Sequence, residues 1–183
     1  MGDRTYVYDA SNGLSDGAAA ITASGYAQFA GADGVIDLGG NQSATVTLPS
    51  IANTATLYPQ RARIDAVIPI WLTAIKTSSS NEVYKIMAVL SNDPNFAAYN
   101  ISTNPLGGVE IGGMLEFGYG GSNDVPNGLT TPAPATIGGD MYELLLCTQQ
   151  NNIHYQYLKL YLVLSGTTPS ITFKAFLAQL MQI

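Results

Sequence analysis

The stretch His154-Tyr-Gln-Tyr-Leu-Lys-Leu-Tyr-Leu-Val-Leu164 decides the fold class. Leu158, Leu160, Leu162 and Leu164 recur at every second position, and Tyr155, Tyr157, Lys159, Tyr161 and Val163 fill the positions between. Side chains alternate between the two faces of an extended chain, so a period of two describes a half-buried strand, not a helix. The same alternation runs from Tyr84 to Leu90, with Tyr84, Ile86, Ala88 and Leu90 set against Lys85, Met87 and Val89. Ile64 to Ile75, Tyr142 to Thr148 and Ile171 to Leu177 read likewise. Tyr6 to Tyr8, Tyr26 to Phe29, Val35 to Leu38, Ala44 to Leu48 and Val109 to Phe117 are shorter candidates. A helix over Ala175 to Gln182 competes with the last strand, but no window carries a capped stripe of period 3.6, and the strand is preferred.

Nine or ten short strands separated by glycine and proline turns predict an all-β protein: a single jelly-roll-like β-sandwich domain over residues 1–183, with residues 1–11 as an extended N-terminal arm. Pro69 interrupts an otherwise strong strand pattern. It cannot donate a ladder hydrogen bond, so an edge position or a bulge is expected there. The stretch from Gly107 to Asp140 is crowded with glycine and proline and reads as a long functional or mobile loop region inside the domain.

The chain has 183 residues, 46% of them hydrophobic and only 11% charged, against about 25% charged in soluble domains generally. Seven Lys and Arg against 13 Asp and Glu leave a formal net charge of −6, the wrong sign for neutralising a phosphate backbone, so no nucleic-acid partner is expected. Leu158 to Leu164 contains Lys159 and is too short to span a bilayer. The opening Met-Gly-Asp-Arg-Thr-Tyr lacks a basic region followed by an apolar run, so neither a secretory leader nor a membrane partner is expected.

Chemistry-bearing residues are sparse. Cys147 is the single cysteine and lies among Leu144, Leu145, Leu146 and Thr148, which suggests buried packing and offers neither a disulfide nor a zinc site. His154 is the single histidine, so a two-histidine metal centre is excluded, and no Gly-x-Ser-x-Gly elbow accompanies it. Glu110 and Glu116 are six residues apart, an even spacing that would place both on one strand face, as a glycosidase could use. A solvated face is the simpler reading of that pair. No phosphate-binding glycine motif is present, and Pro94 and Phe96 break the ligand alternation of a calcium loop around Asp93. No catalytic residue, metal site or cofactor is assigned.

Tyrosine is the informative residue, with 11 copies against five Phe and one Trp. Tyr155, Tyr157 and Tyr161 occupy the face opposite the leucines, where an isolated domain would carry charges. Tyrosine supplies large contact area with a polar tip, so that face is expected to be covered, by a second sheet or by a partner. Tyr6 and Tyr8 in the arm, and Met114, Phe117 and Tyr119 near the glycine-rich stretch, complete the candidate interface.

Three segments carry a family resemblance. The first is Thr5-Tyr-Val-Tyr-Asp-Ala-Ser11 with the stretch around Ile21 to Ala27 and Val35-Ile-Asp-Leu-Gly39. The second is Tyr84-Lys-Ile-Met-Ala-Val-Leu-Ser-Asn-Asp-Pro-Asn-Phe96. The third comprises Tyr142-Glu-Leu, Tyr155 to Tyr161 and Gly166-Thr-Thr-Pro-Ser-Ile-Thr-Phe-Lys-Ala-Phe176. Together they resemble the capsid cement, or decoration, proteins of tailed bacteriophages, similar to the Bordetella phage cement protein. The resemblance implies a non-enzymatic virion protein, made in the host cytoplasm, that binds the outer capsid surface and staples major capsid protein subunits. It also implies a homo-oligomer, a dimer or alternatively a trimer, at capsid symmetry axes. The longer Ile64 to Asn81 and Gly107 to Asp140 regions depart from the family pattern. A carbohydrate-binding or receptor-binding β-sandwich module of the phage tail is the alternative, and a glycosidase using Glu110 and Glu116 stands third.

Overall fold

The computed structural model describes residues 10–38, 44–47, 54–57, 65–76, 81–98, 100, 102–103, 107–118 and 140–179. A turn of 3-10 helix at Ala10–Asn12 leads into β1 (Gly13–Asp16), β2 (Gly25–Tyr26), β3 (Gln28–Phe29), β4 (Ala32–Asp33) and β5 (Val35–Asp37). Then come β6 (Ala44–Thr47), β7 (Thr54–Leu57), β8 (Asp65–Ile75), β9 (Val83–Ser91), β10 (Glu110–Gly118) and β11 (Asp140–Cys147). The chain continues through β12 (Gln149–Gln150), β13 (Ile153–His154), β14 (Tyr157–Ser165), β15 (Ile171–Phe176) and β16 (Ala178–Gln179). No α-helix occurs among the described residues, and the last segment is strand, as its alternation predicts.

Two antiparallel sheets carry the long strands. The first has the order β1-β15-β8-β11, with β16 also on β8; the second has β10-β9-β14-β2, with β5 also on β14. The alternating segments supply the core between them. Tyr84, Ile86, Ala88 and Leu90 of β9 and Leu158, Leu160 and Leu162 of β14 are wholly buried. They face Ile68, Ile70 and Leu72 of β8, Leu144 and Leu146 of β11, and Ile171, Phe173 and Ala175 of β15. Each buried Leu or Ile contributes about 1.5–3 kcal/mol relative to exposure, which is why the leucine face and not the tyrosine face of β14 turns inward. Tyr84 enters this core because its hydroxyl is satisfied: it donates to the Lys76 carbonyl and accepts from the Ser170 amide at 3.1 Å.

The sandwich is closed at both sides by glycine. A Cβ on Gly113 of β10 would lie 2.2 Å from the Leu145 carbonyl oxygen of β11. On the opposite side a Cβ on Gly34 would lie 2.3 Å from the Leu14 carbonyl oxygen of β1. No larger residue fits either contact without moving backbone.

Pro69 is not on an edge strand. β8 lies between β15 and β11, and Pro69 pairs with Glu143. On the other side, Ala175 pairs with Ile70 and Ala178 with Val67 in one continuous register, and pairing lapses at Phe176 and Leu177, opposite Pro69 and Ile68. The Leu177 amide bonds instead to the Asn12 carbonyl at 2.9 Å. The missing proline donor is therefore accommodated by a gap between two partner strands. The bulge in β8 is at Thr73, whose hydroxyl donates to the Thr172 carbonyl at 2.9 Å.

The strand expected from His154 begins at Tyr157 instead. Asn151 and Asn152 take φ values of 51° and 63°, which turn β12 tightly into β13. The Gln156 amide is held by the Asn92 side chain at 3.1 Å, and its carbonyl accepts from the Leu38 amide at 2.7 Å. The stretch from Gly107 to Asp140 is not all loop, since Glu110–Gly118 forms the full-length strand β10; residues 119–139 lie outside the described set.

Candidate functional site: the outer face of the second sheet

Strand register places the outward side chains of the second sheet in cross-strand rows. One row runs Tyr26, Tyr161, Met87, Met114 across β2, β14, β9 and β10. The next runs Val35, Lys159, Val89, Ile111. On the other side of the first row lie Val163, Lys85 and Glu116, the last two joined by an ion pair of 3.4 Å. Met114 is 52% exposed and Ile111 48%, and Val163 and Val35 are also exposed.

The β2 end of this face is covered by the chain itself. Lys159 is only 8% exposed. Its Nζ lies 3.0 Å from Asp33 Oδ2, 4.7 Å from the centre of the Tyr26 ring and 4.8 Å from that of Phe96. The Tyr26 ring meets Tyr161 edge-on at 5.1 Å and Phe96 at 6.1 Å. A strand lysine can be buried here because a carboxylate and two ring faces replace its water. Burial pushes the Asp33 carboxyl up, but the Lys159 ammonium and the Gln28 amide, 2.6 Å away, hold it below the usual carboxylate range. Burial raises the Tyr26 phenol, with Tyr161 and Asp33 acting in the same direction.

Phe96 reaches this cluster from the turn between β9 and β10. Asp93 accepts from the Asn95 amide at 2.9 Å and the Ala97 amide at 3.2 Å, and the Phe96 amide bonds to the Asp93 carbonyl at 3.0 Å. These bonds hold Phe96 at a φ of 55°, an uncommon value for a bulky residue. Asp93 thus serves the turn's backbone.

Of the residues singled out by sequence, Met114, Tyr157 and Tyr161 lie on this outer face, with Tyr157 and Tyr161 half-buried. Tyr155 does not. The backbone break at Tyr155 and Gln156 cancels the parity argument, and Tyr155 packs against the core, where burial raises its phenol, with Glu110 adding to the shift. Phe117 is a correction: it is wholly buried, with its ring 4.8 Å from Tyr142, and belongs to the core. Tyr6, Tyr8 and Tyr119 lie outside the described residues.

The glutamate pair is also corrected. Gly112 is an extra residue in β10, so Glu110 pairs with inward-facing Leu90 and Glu116 with outward-facing Lys85. The two carboxylates occupy opposite faces of the sheet, so they cannot flank one glycosidic bond. Cys147, expected buried, is half-exposed at the end of β11, with its thiol donating to the Gln149 carbonyl at 3.3 Å. His154 is half-buried opposite Gln149 in the β12–β13 hairpin.

Among the described residues no group of three or more His, Cys, Asp or Glu could hold a metal ion, and no helix is long and apolar enough to cross a membrane. A cleft of about 450 Å³ opens beside β1, lined by residues 15–23 with Tyr26, Gln28 and Gly31. Its one carboxylate, Asp16, accepts from the Ala18 amide at 2.9 Å and the Ala30 amide at 2.8 Å, and those bonds hold it below the usual range. Comparison with protein-family models, with curated proteins and with solved structures finds no match.

Proposed function

We propose that this chain is a non-enzymatic virion protein that binds the outer surface of a tailed-phage capsid and staples neighbouring major capsid protein subunits. The supporting observation is the outer face of the second sheet, where Met114, Ile111 and Val163 are exposed around half-buried Met87 and Tyr161. Among the described residues, Lys85 and Glu116 on this face are paired with each other and Lys159 in the next row is paired with Asp33, so docking removes apolar area from water with little charge to desolvate. Each copy needs only modest affinity, because whatever binds the assembled shell preferentially stabilises it by mass action.

We also read the sandwich as a jelly roll. The orders β1-β15-β8-β11 and β10-β9-β14-β2 or β5, antiparallel throughout, support that reading, since this interleaving follows from two Greek keys. Such a scaffold presents a rigid sheet face to a partner. The test is co-sedimentation of the full chain with purified expanded shells. Wild-type protein is expected to pellet with the shells, and Met114→Lys and Val163→Lys, which change exposed side chains only, to lower occupancy at least tenfold. Failure of the wild type to co-sediment, or undiminished occupancy of both variants, removes this reading.

A further inference from the structure

Thioether sulfur sits at the middle of the outer face of the second sheet. Register sets Met114 of β10 directly opposite Met87 of β9, with Tyr161 of β14 next in the row. Opposed side chains on neighbouring strands stand about 5 Å apart at Cβ. Met114 is 52% exposed and Met87 half-buried, so the outer sulfur is open to small reagents in water and the inner one is partly screened. Val89 and Lys85 lie diagonally across from Met114, and Lys85 pairs with Glu116 at 3.4 Å. Of these immediate neighbours Met87 and Val89 offer a new oxygen no hydrogen-bond donor, and the Lys85 ammonium is already engaged.

We propose that Met114 is a modification site for hydroperoxides, and that its oxidation switches this face from docking to non-docking. The consequence rests on the shell-binding reading of the same face, whereas the chemistry does not. The sulfur lone pair attacks one peroxide oxygen, the O–O bond breaks and an S=O bond forms. With hydrogen peroxide the proton of the transferred oxygen passes to the departing hydroxide, which leaves as water; sulfur loses two electrons and the peroxide gains them. A polar sulfoxide then stands where a flexible apolar side chain stood. Docking would bury that acceptor without a partner, which lowers affinity at least tenfold. A docked face covers the sulfur, so the reaction acts on free protein and controls attachment, not release. Met141 is the internal comparison: it is 46% exposed but lies on β11 of the first sheet, so it reacts without touching the docking face.

Treatment of the full chain with hydrogen peroxide, followed by peptide mapping, is expected to convert Met114 and Met141 ahead of Met87. In a Met141→Leu background, retention on a phenyl column is expected to fall after treatment, and adding Met114→Leu should abolish that fall while circular dichroism stays unchanged. Co-sedimentation with expanded shells is read as occupancy after treatment over occupancy before it. That ratio should drop at least tenfold for wild type and for Met141→Leu, and stay within threefold of unity for Met114→Leu. In wild type it should recover when a methionine sulfoxide reductase and a thiol reductant are added. Met114 unconverted once Met141 is fully oxidised, unchanged column retention, or a ratio for Met114→Leu as low as that of wild type would each overturn the inference. Untreated wild type that never binds shells defeats the shell reading alone, since peptide mapping and the phenyl column still decide the modification. Treated wild type that binds as well as untreated defeats the switch alone.

Discussion

Replacing Lys159 by Met removes the ammonium and keeps most of the stem. The ion pair to Asp33 at 3.0 Å involves a lysine side chain that is 10% exposed and an aspartate that is 40% exposed. Screening on the aspartate side limits it to about 1 kcal/mol. The two ring contacts, at 4.7 and 4.8 Å, add about 0.5–1 kcal/mol each. Methionine recovers part of this through apolar contact with the rings, so a net loss of about 1–2 kcal/mol is expected. For a chain of this length, that lowers Tm by about 3–6 °C. Asp33→Asn leaves one oxygen for two donors and a buried ammonium without its carboxylate, so it should cost at least as much as Lys159→Met. Urea unfolding of wild type, both single variants and the double variant measures the coupling, expected near 1 kcal/mol. Amide exchange should quicken over Gln28–Asp33, the hairpin that Lys159 ties down. A Lys159→Met protein as stable as wild type would refute the reasoning, because the desolvation cost of the ammonium would then equal everything its partners return.

Gly113→Ala should destabilise by about 2–4 kcal/mol, since its Cβ would meet a backbone oxygen and not a movable side chain; a Tm within 2 °C of wild type would refute a tight β10–β11 closure. Phe117→Ala should cost about 3–5 kcal/mol against under about 0.5 kcal/mol for Met114→Ala, a contrast between core and exposed face that chemical denaturation reads directly. Asp16 and Asp33 both titrate below the 3.8 of a free carboxyl. Their contribution is complete above that value and is lost as pH falls through the lower folded values, so acid should loosen the corner from residue 16 to residue 33. Amide exchange between pH 5 and pH 3 tests this, and Asp16→Asn should flatten the response.

The strands with strict alternation were readable at the level of single residues. Tyr84 to Leu90 and Leu158 to Leu164 turn their inward residues to the core as written, because burial of alternate apolar side chains leaves an extended chain one choice of face. Parity carried over a break was not readable. Tyr155 left the tyrosine face because the Gln156 backbone is taken by Asn92 and Leu38, and Glu116 parted from Glu110 because Gly112 bulges. Each departure depends on one extra or unpaired residue that hydropathy does not register. Trp71, Met141 and Leu145 are exposed at the outward positions of β8 and β11, apolar residues that alternation alone does not assign to water. Pro69 was read correctly as a lost donor, but it lies neither on an edge nor at a bulge, since a gap between two partner strands serves as well as either.

Local alternation and turn chemistry thus determined by themselves that the chain is all-β and which face of each long strand is apolar, because those properties depend only on a period of two and on residue type. Only the tertiary structure decided which strands neighbour one another, where β10 and β1 close the sandwich, and which parts of the tyrosine-bearing face stay open. Those outcomes come from contacts between distant segments, such as Lys159 with Asp33 and Phe96, whose free energy no single stretch of sequence contains.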